Sequence, residues 1–370
     1  MKYKLIDLLD FKTQGVNTTT DHISYVEKGY KIVQAKNIAP YNITFDESNF
    51  VDEETFSRIK DNHKLHKGEV LYTNIGSQLG NSAIYEFDDE AIITWNVMKL
   101  IPNKDIIDNY YLCYLLNSNK LYIKALNTSS TMPFVSGKAL MNVEFEVPDL
   151  HTQKKVVKVL KNIEDKIKLN NEINNNLYEE AVVLYKDKFR GIGQGKKTIG
   201  DYIVPKRGKN LLTKDAIDGD TPVVAGGITP SAYHNQFNTK SPVITISASG
   251  ANAGYTNLWN IPVWASDCSY IDDSITKNVY FWYIVLKTRQ NEIFDAQTGS
   301  AQPHIYPQHI AEMSIGELNI AEVEKYNNLV APLFKMIGEN QKENKKLSQL
   351  RDELLPKLMN GEIDLDNIEI

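Results

Sequence analysis

Ile167-Lys168-Leu169-Asn170-Asn171-Glu172-Ile173-Asn174-Asn175-Asn176-Leu177 is matched 170 residues later by Ile337-Gly338-Glu339-Asn340-Gln341-Lys342-Glu343-Asn344-Lys345-Lys346-Leu347. In both segments isoleucine, two asparagines and leucine recur at steps of three, four and three. That spacing places them on one helix face packed against a partner. Working outward, Val156, Leu160, Ile163, Ala181 and Leu184 continue the first seam, and Val330, Leu333 and Leu354 continue the second. Pro148 precedes the first helix, and Gly191, Gly193 and Gly195 follow it as stop signals. About 37 helical residues would span roughly 55 Å. In the second helix, Pro332 lies near the start of the seam, where proline is tolerated, and Pro356 is expected to bend or stop the helix. Asparagine in a seam is costly unless it finds a partner, and its usual role is to fix register. Antiparallel packing would bring Asn170 and Asn174 close to Asn340 and Asn344.

The same 170-residue shift superposes the two halves without a gap over about sixty positions. Thr128-Ser129-Ser130-Thr131-Met132-Pro133-Phe134-Val135 falls on Thr298-Gly299-Ser300-Ala301-Gln302-Pro303-His304-Ile305. Further upstream, with a small change of shift, Val70-Leu71-Tyr72-Thr73-Asn74-Ile75-Gly76-Ser77-Gln78-Leu79-Gly80 resembles Val243 to Gly254. Each is a β-rich run into a Gly-x-x-x-Gly loop. The chain therefore reads as an α+β protein built as a pseudo-twofold internal repeat. A β-rich unit (1–150) is followed by a helix (151–190), a second unit (196–320) and a second helix (321–363). The helices are expected to form an antiparallel coiled coil that separates the units.

Within the units, residues 68–73, 91–97, 241–246 and 261–265 read as strands, and 107–116 and 279–286 as helices. The units differ most in their polar loops. Lys36, Asn74, Ser77, Gln78, Ser130 and Thr131 mark the first. Lys206, Arg207, Ser249, Asn252, Ser300, Gln302 and His304 mark the second. A shared frame with different polar groups suits two readers of different DNA sequences. Asn and Gln can pair bidentately with adenine, and Lys or Arg with guanine. Glycine loops also let backbone N–H groups approach phosphate.

Composition limits the alternatives. With 42% hydrophobic and 24% charged residues, the chain has the profile of a globular protein of two or three domains. No apolar run approaches a membrane span, and the N-terminus meets Asp7 too early for a secretory signal. The two cysteines, Cys113 and Cys268, are expected to be reduced thiols in a cytoplasmic protein. The net charge of −6 argues against nucleic acid, although basic residues can gather on one face. A scaffold joining two binding modules without DNA is therefore the competing expectation. No metal-ligand spacing, methyltransferase motif or nuclease cluster is present in the sequence, so no catalysis, metal or cofactor is expected on this chain. Gly191-Ile192-Gly193-Gln194-Gly195-Lys196-Lys197 lacks the glycine and hydroxyl spacing of a phosphate loop and reads as a flexible linker.

Ser348-Gln349-Leu350-Arg351-Asp352-Glu353-Leu354-Leu355-Pro356-Lys357-Leu358-Met359-Asn360-Gly361-Glu362-Ile363 resembles the ending of type I restriction–modification specificity subunits. Thr298 to Ile305 and Glu146 to Lys155 are similar to that family's patterns as well. The resemblance implies two target recognition domains, each reading one half of a split site in double-stranded DNA, with the helices setting the unread spacer. It also implies docking of two copies of a methylation subunit and, in the full complex, a restriction subunit. S-adenosylmethionine and ATP would sit on those partners.

Overall fold

The computed structural model describes residues 1–370 except 46–48, 128, 130, 300–301, 364 and 366–370. It is an α+β structure dominated by two long helices, Leu150–Lys188 and Ile320–Met359. The chain forms two compact units, Met1–Asp165 with Leu347–Ile370, and Lys166–Lys346. Each long helix is thus shared between them.

In the first unit an antiparallel sheet runs in the order Leu9–Gln14, Val97–Pro102, Val70–Thr73, Ser82–Ile84. A second sheet orders Asn49–Val51, Tyr30–Val33, Ala91–Ile93 and Lys64–Leu65, with its two middle strands parallel. The helix Asn109–Ser118 starts at Asp108, whose carboxylate accepts from the Tyr110 and Tyr111 N–H groups. Its apolar face, Tyr111, Leu112 and Leu115, packs with Val70, Tyr72 and Leu100 of the first sheet. Val156 and Leu160 of one long helix and Leu355 and Leu358 of the other join the same core. Both helices therefore help to bury the unit's apolar surface.

The second unit repeats this plan. Its antiparallel sheet orders Lys206–Arg207, Cys268–Asp272, Val243–Ser247 and Thr256–Trp259. Thr221–Val224 and Trp264–Ala265 pair in parallel, with Ala232–His234 alongside. The helix Val279–Thr288 contributes Phe281, Ile284 and Val285 to a core closed by Ala181 and Tyr185 of the first long helix and by Tyr326, Val330 and Phe334 of the second. The hydroxyl of Tyr326 donates to the Ala181 carbonyl at 2.7 Å.

Several local expectations need correction. Residues 91–97 form two strands, because the chain turns at Trp95 and Asn96 before Val97 begins the next one. Of 261–265 only Trp264–Ala265 is strand. Pro332 lies well inside its helix, which starts at Ile320 and continues past the proline with one backbone donor fewer. Residues 191–197 form a pinned turn. The Gly316 N–H donates to the Ile192 carbonyl at 2.7 Å, and a Cβ at Gly195 would lie 2.4 Å from the Ile315 oxygen. Cys113 and Cys268 are both free and buried, and burial pushes both thiols up. Among the described residues no helix is long and apolar enough to cross a membrane.

One buried acid stands on the first long helix. Tyr114 Oη donates to Glu164 Oε2 at 2.9 Å, while Glu164 Oε1 is buried and has no hydrogen-bond partner among the described residues. Burial pushes this carboxyl up to about 7, against the opposing pull of the Tyr114 hydrogen bond and of Arg351 and Lys161. Below the ordinary carboxylate pKa both folded and unfolded chains hold the proton. Between there and about 7 only the folded chain does. Stability is therefore expected to fall as pH rises through this window, by about 3 kcal/mol. Denaturant melts at about pH 5 and about pH 8 should show this loss in the native chain and a flatter response in Glu164→Gln. Equal pH dependence in both would contradict it.

Candidate nucleic-acid interface

The two glycine loops are built by the same backbone bonds. In the first unit the Gly80 N–H donates to Thr73 O at 2.8 Å and Leu79 N–H to Gly76 O at 3.0 Å. Gly76 N–H then donates to Pro133 O at 2.8 Å and Val135 N–H to Asn74 O at 3.1 Å, tying in the segment that carries Pro133. In the second unit Gly254 donates to Ser247, Ala253 to Gly250, Gly250 to Pro303 and Ile305 to Ala248, at 2.7 to 3.1 Å. Gly76 and Gly80 have φ of +95° and +88°, and Gly250 and Gly254 have +81° and +87°. Glycine suits these left-handed positions, where a side chain would be strained. The Gly-x-x-x-Gly spacing seen in sequence is the spacing of this turn.

On that frame the sequence-derived residues are placed as follows. Ser77, Gln78 and Thr131 are exposed on the first unit's loops, and Lys36 is exposed on a short 3-10 turn, Ala35–Asn37. In the second unit Lys206 and Arg207 are exposed but form a short strand where a loop was expected, Gln302 is exposed on its loop, and Ser249, Asn252 and His304 are half-buried. Ser130 and Ser300 lie outside the described residues. Asn74 departs from expectation, because it is buried and its amide is used internally. Its Oδ1 accepts from Gln14 Nε2 at 2.9 Å, and its Nδ2 donates to Gln14 Oε1 at 3.2 Å. It holds the loop and presents no free edge. The His304 ring stacks on exposed Tyr306, with centroids 5.9 Å apart and planes 14° apart.

Sequence reasoning missed Gln14, Asp267, Lys124 and Asn127. The last two line a cavity of about 230 Å³ with Gly76, Ser77, Leu79 and Pro133. Their signal was weak, since a lysine and an asparagine ending a helix look like ordinary surface. Gln14 had a findable signal. Gln14-Gly15 and Arg207-Gly208 each end a strand, and Gly15 N–H donates to Val97 O as Gly208 N–H does to Cys268 O, at 3.0 and 2.8 Å. A Cβ on either glycine would fall within 2.4 Å of a neighbouring carbonyl oxygen.

The seam asparagines come together. Within the second unit Asn170 Nδ2 donates to Asn344 Oδ1 at 2.8 Å and to Glu343 Oε2 at 2.7 Å. Asn340 Nδ2 donates to Asn174 Oδ1 at 2.9 Å, and Asn344 Nδ2 to Asn171 Oδ1 at 2.8 Å. The pairing of 170 with 344 and 174 with 340 shows that the helices run antiparallel. The Asn170 bond is also the main cause holding the Glu343 carboxyl below its ordinary value. Because Asn170 donates to a carboxylate as well as to an amide, Asn170→Ala should cost ~1–3 kcal/mol through the two lost hydrogen bonds. Replacing Asn170 and Asn344 together by leucine should recover most of that. Chemical denaturation checks both, and a negligible cost for the single alanine would contradict the account.

Fold and loops define a duplicated α+β protein whose two units offer similar backbone frames carrying different polar side chains. Residues 18–179 match the family Type I restriction modification DNA specificity domain. The type I restriction enzyme MjaIX specificity subunit of Methanocaldococcus jannaschii is 26% identical over 345 residues, covering 82% of this chain and 79% of that protein. The HindI specificity subunit of Haemophilus influenzae is 28% identical over 166 residues, 43% of this chain and 36% of that one. In structure, the type I restriction-modification S subunit from M. genitalium superposes with a TM-score of 0.55 at 18% identity, covering 97% of this chain and 95% of its own. The chain is therefore similar to type I restriction–modification specificity subunits, in sequence over most of its length and in fold.

Proposed function

We propose that this chain recognises DNA sequence for a type I restriction–modification enzyme, one unit reading each half of a split site. The observation that carries this is the duplicated loop frame, Gly76 to Pro133 and Gly250 to Pro303, bearing Ser77, Gln78 and Thr131 in one unit and Ser249, Asn252 and Gln302 in the other, with Arg207 reaching the second frame from its own strand through Asp267. A similar backbone with different polar edges serves two different half-sites. The long helices set the unread spacer and carry the docking of two methylation subunits, with a restriction subunit in the full complex. The paired seam asparagines hold the register of the helices. S-adenosylmethionine and ATP bind those partners, and this chain supplies affinity and register without catalysis, in the cytoplasm.

The test is binding selection with the chain co-purified with its methylation subunit. From a pool of random duplexes the complex should enrich one split motif, and binding should weaken steeply as salt rises. Retention with no enriched sequence would contradict the reading and favour a scaffold without DNA specificity.

A further inference from the structure

The duplicated frame carries a different polar cluster at one equivalent place in each unit. The position before the close-approach glycine is Gln14 in the first unit and Arg207 in the second, opposite Met98 and Ser269 in the neighbouring strands. Gln14 is closed on itself. Its Nε2 donates to Asn74 Oδ1 and to the carbonyls of Trp95 and Val97, and its Oε1 accepts from Asn74. That leaves the amide no edge to offer. Arg207 is open. Its Nη2 donates to Asp267 Oδ1, the other Asp267 oxygen accepts from Ser249 Oγ, and the Arg207 side chain stays 42% exposed.

An ion pair this exposed contributes little to stability. What it does is orient. Ser249, on the glycine loop, fixes the Asp267 carboxylate, and the carboxylate holds one amino group of a planar fork whose remaining N–H groups are available. An arginine fixed in this way meets a bidentate acceptor pair with its ordering entropy already spent, and the O6/N7 edge of guanine is such a pair.

Resting on the DNA-recognition reading above, we propose that Arg207, positioned by Asp267 and Ser249, reads a guanine in the half-site of residues 196–320, and that the first unit has no charged reader at the equivalent place. The experiment is to co-express the chain with its methylation subunit and map modified adenines for the native protein, Arg207→Ala and Arg207→Lys. The native motif should hold a G·C pair in one half. There, Arg207→Ala should lose preference for guanine by roughly 10- to 100-fold and Arg207→Lys should lose part of it, leaving the other half unchanged. Lysine keeps the charge without the fork, so it separates base reading from phosphate contact.

A half-site without G·C, or variants with the native motif, would overturn the inference alone. So would a uniform loss of methylation in Arg207→Ala that Arg207→Lys restores, which marks a phosphate contact. If the native chain gives no split motif, the underlying reading fails and this inference falls with it. Thermal melting of both variants should match the native chain, because the pair is exposed, and this separates lost recognition from lost folding.

Discussion

Removing seven residues from each long helix at paired positions, 168–174 with 340–346, should change the length of the unread spacer and leave both half-sites as they were. The deletion follows the observed pairing of 170 with 344 and 174 with 340, so partner asparagines leave together and none is stranded. One heptad turns the helix face by only ~20°, which keeps the seam facing its partner. It shortens each helix by about 10 Å. At about 3.4 Å per base pair, length alone gives a change of about three base pairs. Rotational phase opposes the full change, since three base pairs turn the duplex by roughly 100° at about 10.5 per turn. A change of roughly one to three base pairs is therefore expected, read by mapping methylated sites. An unchanged spacer in a folded, assembled variant would refute the ruler.

The second large effect is a change of one whole half-site. Exchanging residues 1–150 for those of a related specificity subunit should alter one half of the motif and leave the other intact. The structure changes how this exchange must be made. Leu5, Leu100 and Tyr111 of the first unit share a core with Val156 and Leu160 of one long helix and Leu355 and Leu358 of the other. Cutting at residue 150 leaves those four side chains facing a foreign surface, and mismatched cores typically cost 1–3 kcal/mol or more. A chimera carrying 1–165 together with 347–370 should fold and assemble like the parent, whereas the short exchange should melt earlier. Alteration of both half-sites by either chimera would refute independent reading.

The long helices, the repeat and the Gly-x-x-x-Gly loops were legible because each rests on a short-range rule. A seam shows as period, and a turn with positive φ shows as glycine. Asn170, Asn174, Asn340 and Asn344 were legible as partners because a polar residue in a seam demands one. Asn74 was misjudged for the opposite reason. A polar residue in a glycine loop looks exposed, and only the return of Gln14 from a strand 60 residues away shows that its amide is already used. Arg207 was singled out but Asp267 was not, since nothing in Ser266-Asp267-Cys268 announces a guanidinium partner distant in sequence. The split of 91–97 into two strands was hidden by a run of β-formers that continues through a turn. Long-range pairing decided each of these cases.

The central claim is tested most directly by co-expressing the native chain with its methylation subunit and locating every methylated adenine in the host genome. The account predicts one motif, two short defined halves around an unread gap of fixed length. A continuous motif, or no methylation from a complex that is soluble and fully assembled, would contradict it.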